Sequence, residues 1–214
     1  MFLLTDEHIF PSTKDAFGDG LLCMGGDLSS DRLILAYSKG IFPWYNEDDP
    51  ILWYSPDPRF VLFPERLKIS QSMTQVIKRG QFNCTVNQDF PAVIHHCRLQ
   101  QRKGQEGTWI NPELEDAYIK LHRLGHAYSV ECWKDGILAG GLYGVLVNRV
   151  FCGESMFSLE KNASKAALIF FTEYLQKTKE VILIDCQVYT PHLDSLGAEM
   201  ISRIDFESYL QKVI

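Results

Sequence analysis

Three polar side chains interrupt stretches otherwise written for burial: Glu154 within GESMFS at 153–158, and Asp185 and Gln187 within ILIDCQV at 182–188. A buried acid or amide costs free energy unless it is hydrogen-bonded or put to use. If one cleft gathers all three, they form a polar site able to hold and orient a substrate group. Other chemistries are disfavoured. Ser155 sits in GESMF rather than in the GxSxG turn that exposes a hydrolase serine. His95, His96 and His126 have no nucleophile near them in sequence, and structural roles suit them. The six cysteines (Cys23, Cys84, Cys97, Cys132, Cys152 and Cys186) are scattered without a CxxC pair. They read as reduced, mostly buried thiols, and neither a disulfide framework nor a metal site is expected.

The elements that must position these residues follow from pattern. With 214 residues, 46% hydrophobic and 22% charged, the chain can bury a sizeable core. Turn formers are dense up to residue 58 (FPS, FGDG, MGGDLSS, FPWYNEDDP, YSPDPR), which predicts a small N-terminal domain over 1–58 with Pro56 to Pro58 as the boundary. Within it, Asp27-Leu-Ser-Ser followed by RLILAYSKG predicts one short helix that stops at Gly40. Over 59–214, RFVLFPERL reads as a strand, and SQSMTQVIKRG, NQDFPAVIHHCRLQQ and NPELEDAYIKLHRLG read as helices. The period then changes. HAYSVECWKDGILAGGLYGVLVNRVFCGESMFS alternates like paired strands turning at Lys134-Asp135-Gly136 and Val147-Asn148-Arg149. A long helix with Asn162 as its N-cap and the strand VILIDCQV follow.

This is an α+β order in which the last strand can lie beside the strand preceding the long helix. The same order characterises the GCN5-related acyltransferase fold, so a C-terminal acyltransferase-like domain is expected over 59–214, by fold-level analogy. In that fold the cleft opens where the two strands splay apart, and their ends here carry Glu154 and Asp185 to Gln187. Acyl-CoA enzymes of the fold cradle pyrophosphate on a glycine-rich turn before the long helix. Here the turn is SLEKNAS, which lacks glycine and contains Glu160, so CoA is disfavoured as donor.

Charge is unevenly spread. The net charge of −6 argues against a polyanionic partner, yet residues 59–123 hold 10 Lys and Arg against 6 Asp and Glu, leaving 11 against 21 elsewhere. A basic face including Arg66, Lys68, Lys78, Arg79, Arg98, Arg102 and Lys103 is able to meet phosphates, and a solvated mixed surface is the alternative. The opening MFLLTDEHIF is neither a signal peptide nor a membrane span, so a cytoplasmic protein without membrane contact is expected.

Taken together, GLLCMGGDLSSDRLILAYSKGIFPWY, ILWYSPDPRFVLFPE, GTWI, GHAYSVECW, GGLYGV, FCGESMFS, NASK, LIDCQ and HLDSLGA resemble the bacterial leucyl/phenylalanyl-tRNA-protein transferases, in order and over nearly the whole chain. The resemblance implies transfer of Leu or Phe from its charged tRNA to the N-terminal amine of proteins beginning with Arg or Lys, creating a signal for regulated proteolysis. It implies no metal or organic cofactor, Leu-tRNA and Phe-tRNA as donors, and a monomer.

By matching motif, Gln187 is expected to hydrogen-bond the attacking amine, Asp185 to polarise it and Glu154 to orient substrate groups. A neutral amide is a very poor base, so positioning of an already neutral amine suits Gln187 better than deprotonation. The alternative for Asp185 is an acid that only holds the strand-to-loop geometry. Trp44 in FPWY and Trp109 in GTWI match tryptophans that flank the terminal adenosine of the tRNA, a task suited to flat indoles. Trp53 and Tyr54 read as core. The pocket for the aminoacyl side chain is expected from Leu142, Phe151, Leu168 and Ile184, each also credible as plain core. Leu142 stands where the family's GGMYGV has methionine, which leaves the Leu versus Phe preference open. Two other readings stay open: an acyltransferase using a small acyl carrier, and a noncatalytic module that binds tRNA ends or protein N-termini.

Overall fold

The computed structural model describes residues 1–100 and 109–211. Eleven strands and seven α-helices are present among them: β1 Phe2–Leu4, β2 Leu21–Gly25, α1 Ser30–Ser38, β3 Phe42–Pro43, β4 Leu52–Tyr54, β5 Arg59–Leu62, α2 Gln71–Lys78, β6 Asn83–Val86, α3 Phe90–Leu99, α4 Pro112–Arg123, β7 Ala127–Lys134, β8 Ile137–Val147, β9 Val150–Ser158, α5 Ala163–Lys179, β10 Leu183–Gln187, α6 Pro191–Asp194, β11 Glu199–Ile201 and α7 Arg203–Leu210. The strands before residue 58 form a four-stranded sheet in the order β1-β2-β4-β3. The rest form a seven-stranded sheet in the order β11-β5-β10-β9-β8-β7-β6.

Local chemistry accounts for the boundaries. α4 begins where the Asn111 side chain accepts from Leu114 N at 2.9 Å with Pro112 in the first turn. The β7–β8 turn places Asp135 and Gly136 at φ 52° and 77°, the paired left-handed conformations of a tight hairpin. α1 follows the expected Asp27-Leu-Ser-Ser stretch, with Ser29 as its N-cap and the Asp27 carboxylate accepting from Ser29 N at 2.7 Å. One expected cap differs. Asn162 does precede α5, but its side chain makes no cap bond, and its φ of 75° supplies the left-handed corner that a glycine would otherwise provide.

The expected neighbours are side by side: β10 runs parallel to β9, with α5 crossing between them. Not foreseen was the other side of β10, which is occupied by antiparallel β5, drawn in from just after Pro58. Two apolar clusters cover the two faces of the large sheet. One holds Leu142, Phe151, Leu168 and Ile184 with much of α5. The other holds Tyr143, Val145, Cys152 and Leu183 with residues of α1, α3 and α4, and it continues into Trp53 and Phe42 of the small sheet.

Candidate active site

β9 and β10 pair at Val150/Leu183, Phe151/Ile184 and Cys152/Asp185, and no further. Immediately beyond, each strand carries an irregularity. On β9, Gly153 faces Gly144 and Ser155 faces Tyr143, so Glu154 is the extra residue of a bulge. On β10, Asp185 faces Val61 and Gln187 faces Phe60, so Cys186 is the extra one. A bulge breaks the two-residue alternation and re-aims the side chains around it. Gly144 permits the first bulge: a Cβ there would lie 2.1 Å from the Cys152 carbonyl oxygen.

The second bulge leaves Gln187 at φ 58°, a left-handed conformation that costs a non-glycine residue about 1–2 kcal/mol. Asp185 holds it there. Its Oδ1 accepts from Gln187 N at 3.0 Å, while the same carboxylate takes a two-pronged bond from Arg59, Nε to Oδ1 at 2.8 Å and Nη2 to Oδ2 at 2.6 Å. Both partners of this ion pair are fully buried. Arg59 is further fixed by the Gly40 carbonyl and by the Phe42 and Phe206 rings. Asp185 therefore meets Gln187 at its backbone, its carboxylate bonding to Arg59 and to that main-chain N–H, with the Cys152 thiol beside it.

The Gln187 side chain bridges the gap instead. Its Nε2 donates to Glu154 Oε1 at 3.1 Å, and Tyr118 Oη donates to Glu154 Oε2 at 3.0 Å. Tyr118 Oη also meets Tyr37 Oη in a short hydrogen bond. Burial pushes the Glu154 carboxyl up to about 7, opposed by hydrogen bonds from Tyr37 and Tyr118, raised further by Asp185 and lowered by Arg59.

These groups line one cleft of about 580 Å³. Its walls include Glu154, Asp185 and Gln187, both candidate tryptophans Trp44 and Trp109, and all four candidate pocket residues Leu142, Phe151, Leu168 and Ile184. Gln187 is 8% exposed and Trp44 37%. Met156, cross-strand partner of Leu142, and Leu193 add apolar wall that the sequence reading missed. Trp53 is core, donating its Nε1–H to the Gly25 carbonyl at 2.9 Å and meeting Phe10 edge-on.

Other expectations fall elsewhere. Of the basic face, Arg66 pairs with Glu199 and Arg98 with Glu115, and Arg102 and Lys103 lie outside the described residues. His95 contacts Glu115 and His96 stacks on Phe157, neither joining the cleft. No group of His, Cys, Asp and Glu suited to a metal ion occurs among the described residues. Tyr37, Tyr118 and Arg59 were missed as site residues. The available signal was Arg59, a charge set directly against the apolar run FVLF.

Residues 61–211 match the family model described as leucyl/phenylalanyl-tRNA protein transferase, and residues 26–57 match that of its N-terminal domain. A leucyl/phenylalanyl-tRNA-protein transferase of Christiangramia forsetii is 52% identical over 212 residues, 98% of this chain and 100% of that protein. One from Syntrophus aciditrophicus is 53% identical over 204 residues, 95% of this chain and 85% of that protein. Among solved structures, a GCN5-related N-acetyltransferase from Kribbella flavida aligns with a TM-score of 0.41 at 10% identity, covering 78% of this chain and less than two thirds, 59%, of that one.

Proposed function

Because the chain belongs to the leucyl/phenylalanyl-tRNA protein transferase family, we propose that the cleft around Gln187 and Glu154 is where an aminoacyl group passes from its tRNA to the amino terminus of a protein. The donors are Leu-tRNA and Phe-tRNA; the acceptors begin with Arg or Lys, and the product is marked for proteolysis. The reading is carried by one observation: an apolar pocket lined by Leu142, Phe151, Leu168 and Ile184 opens into the same cleft as the Gln187–Glu154 pair. An apolar side chain buried in the pocket sets its own carbonyl beside the polar end.

The reaction forms a bond between the acceptor nitrogen and the ester carbonyl carbon and breaks the bond from that carbon to the ribose oxygen. The nitrogen gives up a proton and the leaving oxygen takes one, so no redox partner is involved. Only a neutral amine attacks. An ionised Glu154 accepts but cannot donate, so the Gln187 NH2 faces it and the amide oxygen is left to accept from the amine N–H. Gln187 thus orients the nucleophile, Asp185 fixes the strained backbone beneath it, and Trp44 and Trp109 stack the terminal adenosine. No helix among the described residues is long and apolar enough to cross a membrane.

Labelled Phe transfer from Phe-tRNA onto a peptide with N-terminal Arg tests the reading. Wild-type protein transfers label and Gln187→Ala loses most of the rate; tRNA binding without product would instead favour a binding module, and tight CoA binding another acyltransferase.

A further inference from the structure

The cleft's hydrogen bonds do not end at Glu154. Behind it, away from Gln187, two phenols stand in series: Tyr118 of α4 donates to Glu154 Oε2 at 3.0 Å, and Tyr37 of α1 meets Tyr118 through its own hydroxyl. Both tyrosines are buried. Each hydroxyl has one hydrogen. With that of Tyr118 committed to Glu154, Tyr37 must be the donor to Tyr118, and the order runs from Tyr37 to Tyr118 to Glu154, which Gln187 meets from the other side. We propose that Tyr37 and Tyr118 are positioning residues for transfer: together they hold Glu154 as an anion, and through it they fix which end of the Gln187 amide faces the acceptor amine.

The inference rests on the role given to Gln187 above. Its physical core is the difference between two protonation states. An ionised Glu154 accepts from the Gln187 NH2 and leaves the amide oxygen toward the cleft. A protonated Glu154 donates, draws the amide oxygen to itself, and turns the NH2 toward an amine that needs an acceptor. The surroundings do not secure the anion unaided. Tyr37 and Tyr118 face Glu154 from α1 and α4, Asp185 and Arg59 act on it from β10 and β5, and Cys152 lies near it on its own strand. Tyr143 of β8 packs edge-on against Tyr118. The only cation among them, Arg59, is already spent on Asp185, so the phenols supply the hydrogen bonds that offset burial.

The test is the pH profile of kcat/KM for Phe transfer to one fixed N-terminal Arg peptide by the wild type, Tyr118→Phe, Tyr37→Phe and Glu154→Gln. The acceptor amine titrates at about 8 in every curve, so shifts between variants report the enzyme. Tyr118→Phe removes a hydrogen bond to a charged group and moves the acidic limb to higher pH by about one unit, while the rate at high pH is largely kept. Tyr37→Phe removes the other hydroxyl that lowers the Glu154 carboxyl, moves the limb in the same direction, and serves alone if Tyr118→Phe does not fold. Glu154→Gln lowers the rate and abolishes the enzyme's limb. An unmoved limb in a folded Tyr118→Phe, or a uniform loss of rate at all pH, overturns the positioning role. Full activity in Glu154→Gln and Gln187→Ala instead overturns the site beneath it.

Discussion

The side-chain amide of Gln187 donates to Glu154 Oε1 at 3.1 Å across the point where β9 and β10 stop pairing. Two bulges produce this meeting, one with Glu154 as its extra residue and the other placing Gln187 just beyond Cys186. The opening of the cleft is the same discontinuity that leaves these groups unpaired by the sheet.

The buried ion pair beneath Gln187 sets stability as well as geometry. Arg59→Met leaves Asp185 buried without its cation, and removing one partner of such a pair costs about 3–5 kcal/mol. For a chain of this size that lowers Tm by roughly 6–20 °C. Adding Asp185→Leu to Arg59→Met restores much of the Tm, measured by calorimetry, but not transfer, because nothing then holds the backbone N–H of Gln187.

Burial of Glu154 makes stability depend on pH. Its carboxyl is raised from 4.5 to about 7 in the folded state, so the fold favours its protonated form. The folded protein then binds more protons than the unfolded chain between these values, and this group's contribution to stability declines as pH rises through that window. Glu154→Gln removes the decline: relative to wild type its Tm gains as pH goes from about 5 to about 8. Thermal melts across pH for the two proteins check the sign.

On the proposed function, selectivity resides in the apolar pocket. Leu142→Phe narrows it beside Phe151 and Ile184 and lowers kcat/KM for Phe more than for Leu, by a factor on the order of 10–200 in the ratio, the range available from small volume changes. Paired assays with the two charged tRNAs measure it.

Trp44, more than a third exposed at the cleft, is suited to stack a base. Trp44→Ala raises KM for charged tRNA by roughly 5- to 150-fold, corresponding to about 1–3 kcal/mol for one stacked base, and Trp44→Phe recovers part of it. Trp53→Ala lowers Tm instead, since that indole is buried in the core.

The strand-helix-strand order was legible because hydrophobic period and turn residues are local signals, as in Asp135-Gly136 and the Asn111-Pro112 helix start. Glu154, Asp185 and Gln187 stood out as polar residues in apolar strands. What pattern could not give was long-range pairing: β5 beside β10, and hence Arg59 on Asp185, depend on contacts 126 residues apart. Tyr37 and Tyr118 were hidden for another reason. Their rings fit the apolar faces of α1 and α4, and only the fold turns their hydroxyls toward Glu154.

The most direct measurement is single-turnover transfer of labelled Phe from Phe-tRNA to a peptide with N-terminal Arg, comparing wild type with Gln187→Ala at saturating substrates. The account predicts that label reaches the peptide's amino terminus and that Gln187→Ala slows the step about 100-fold, as expected for lost orientation of a nucleophile. Transfer at the wild-type rate by Gln187→Ala would contradict it.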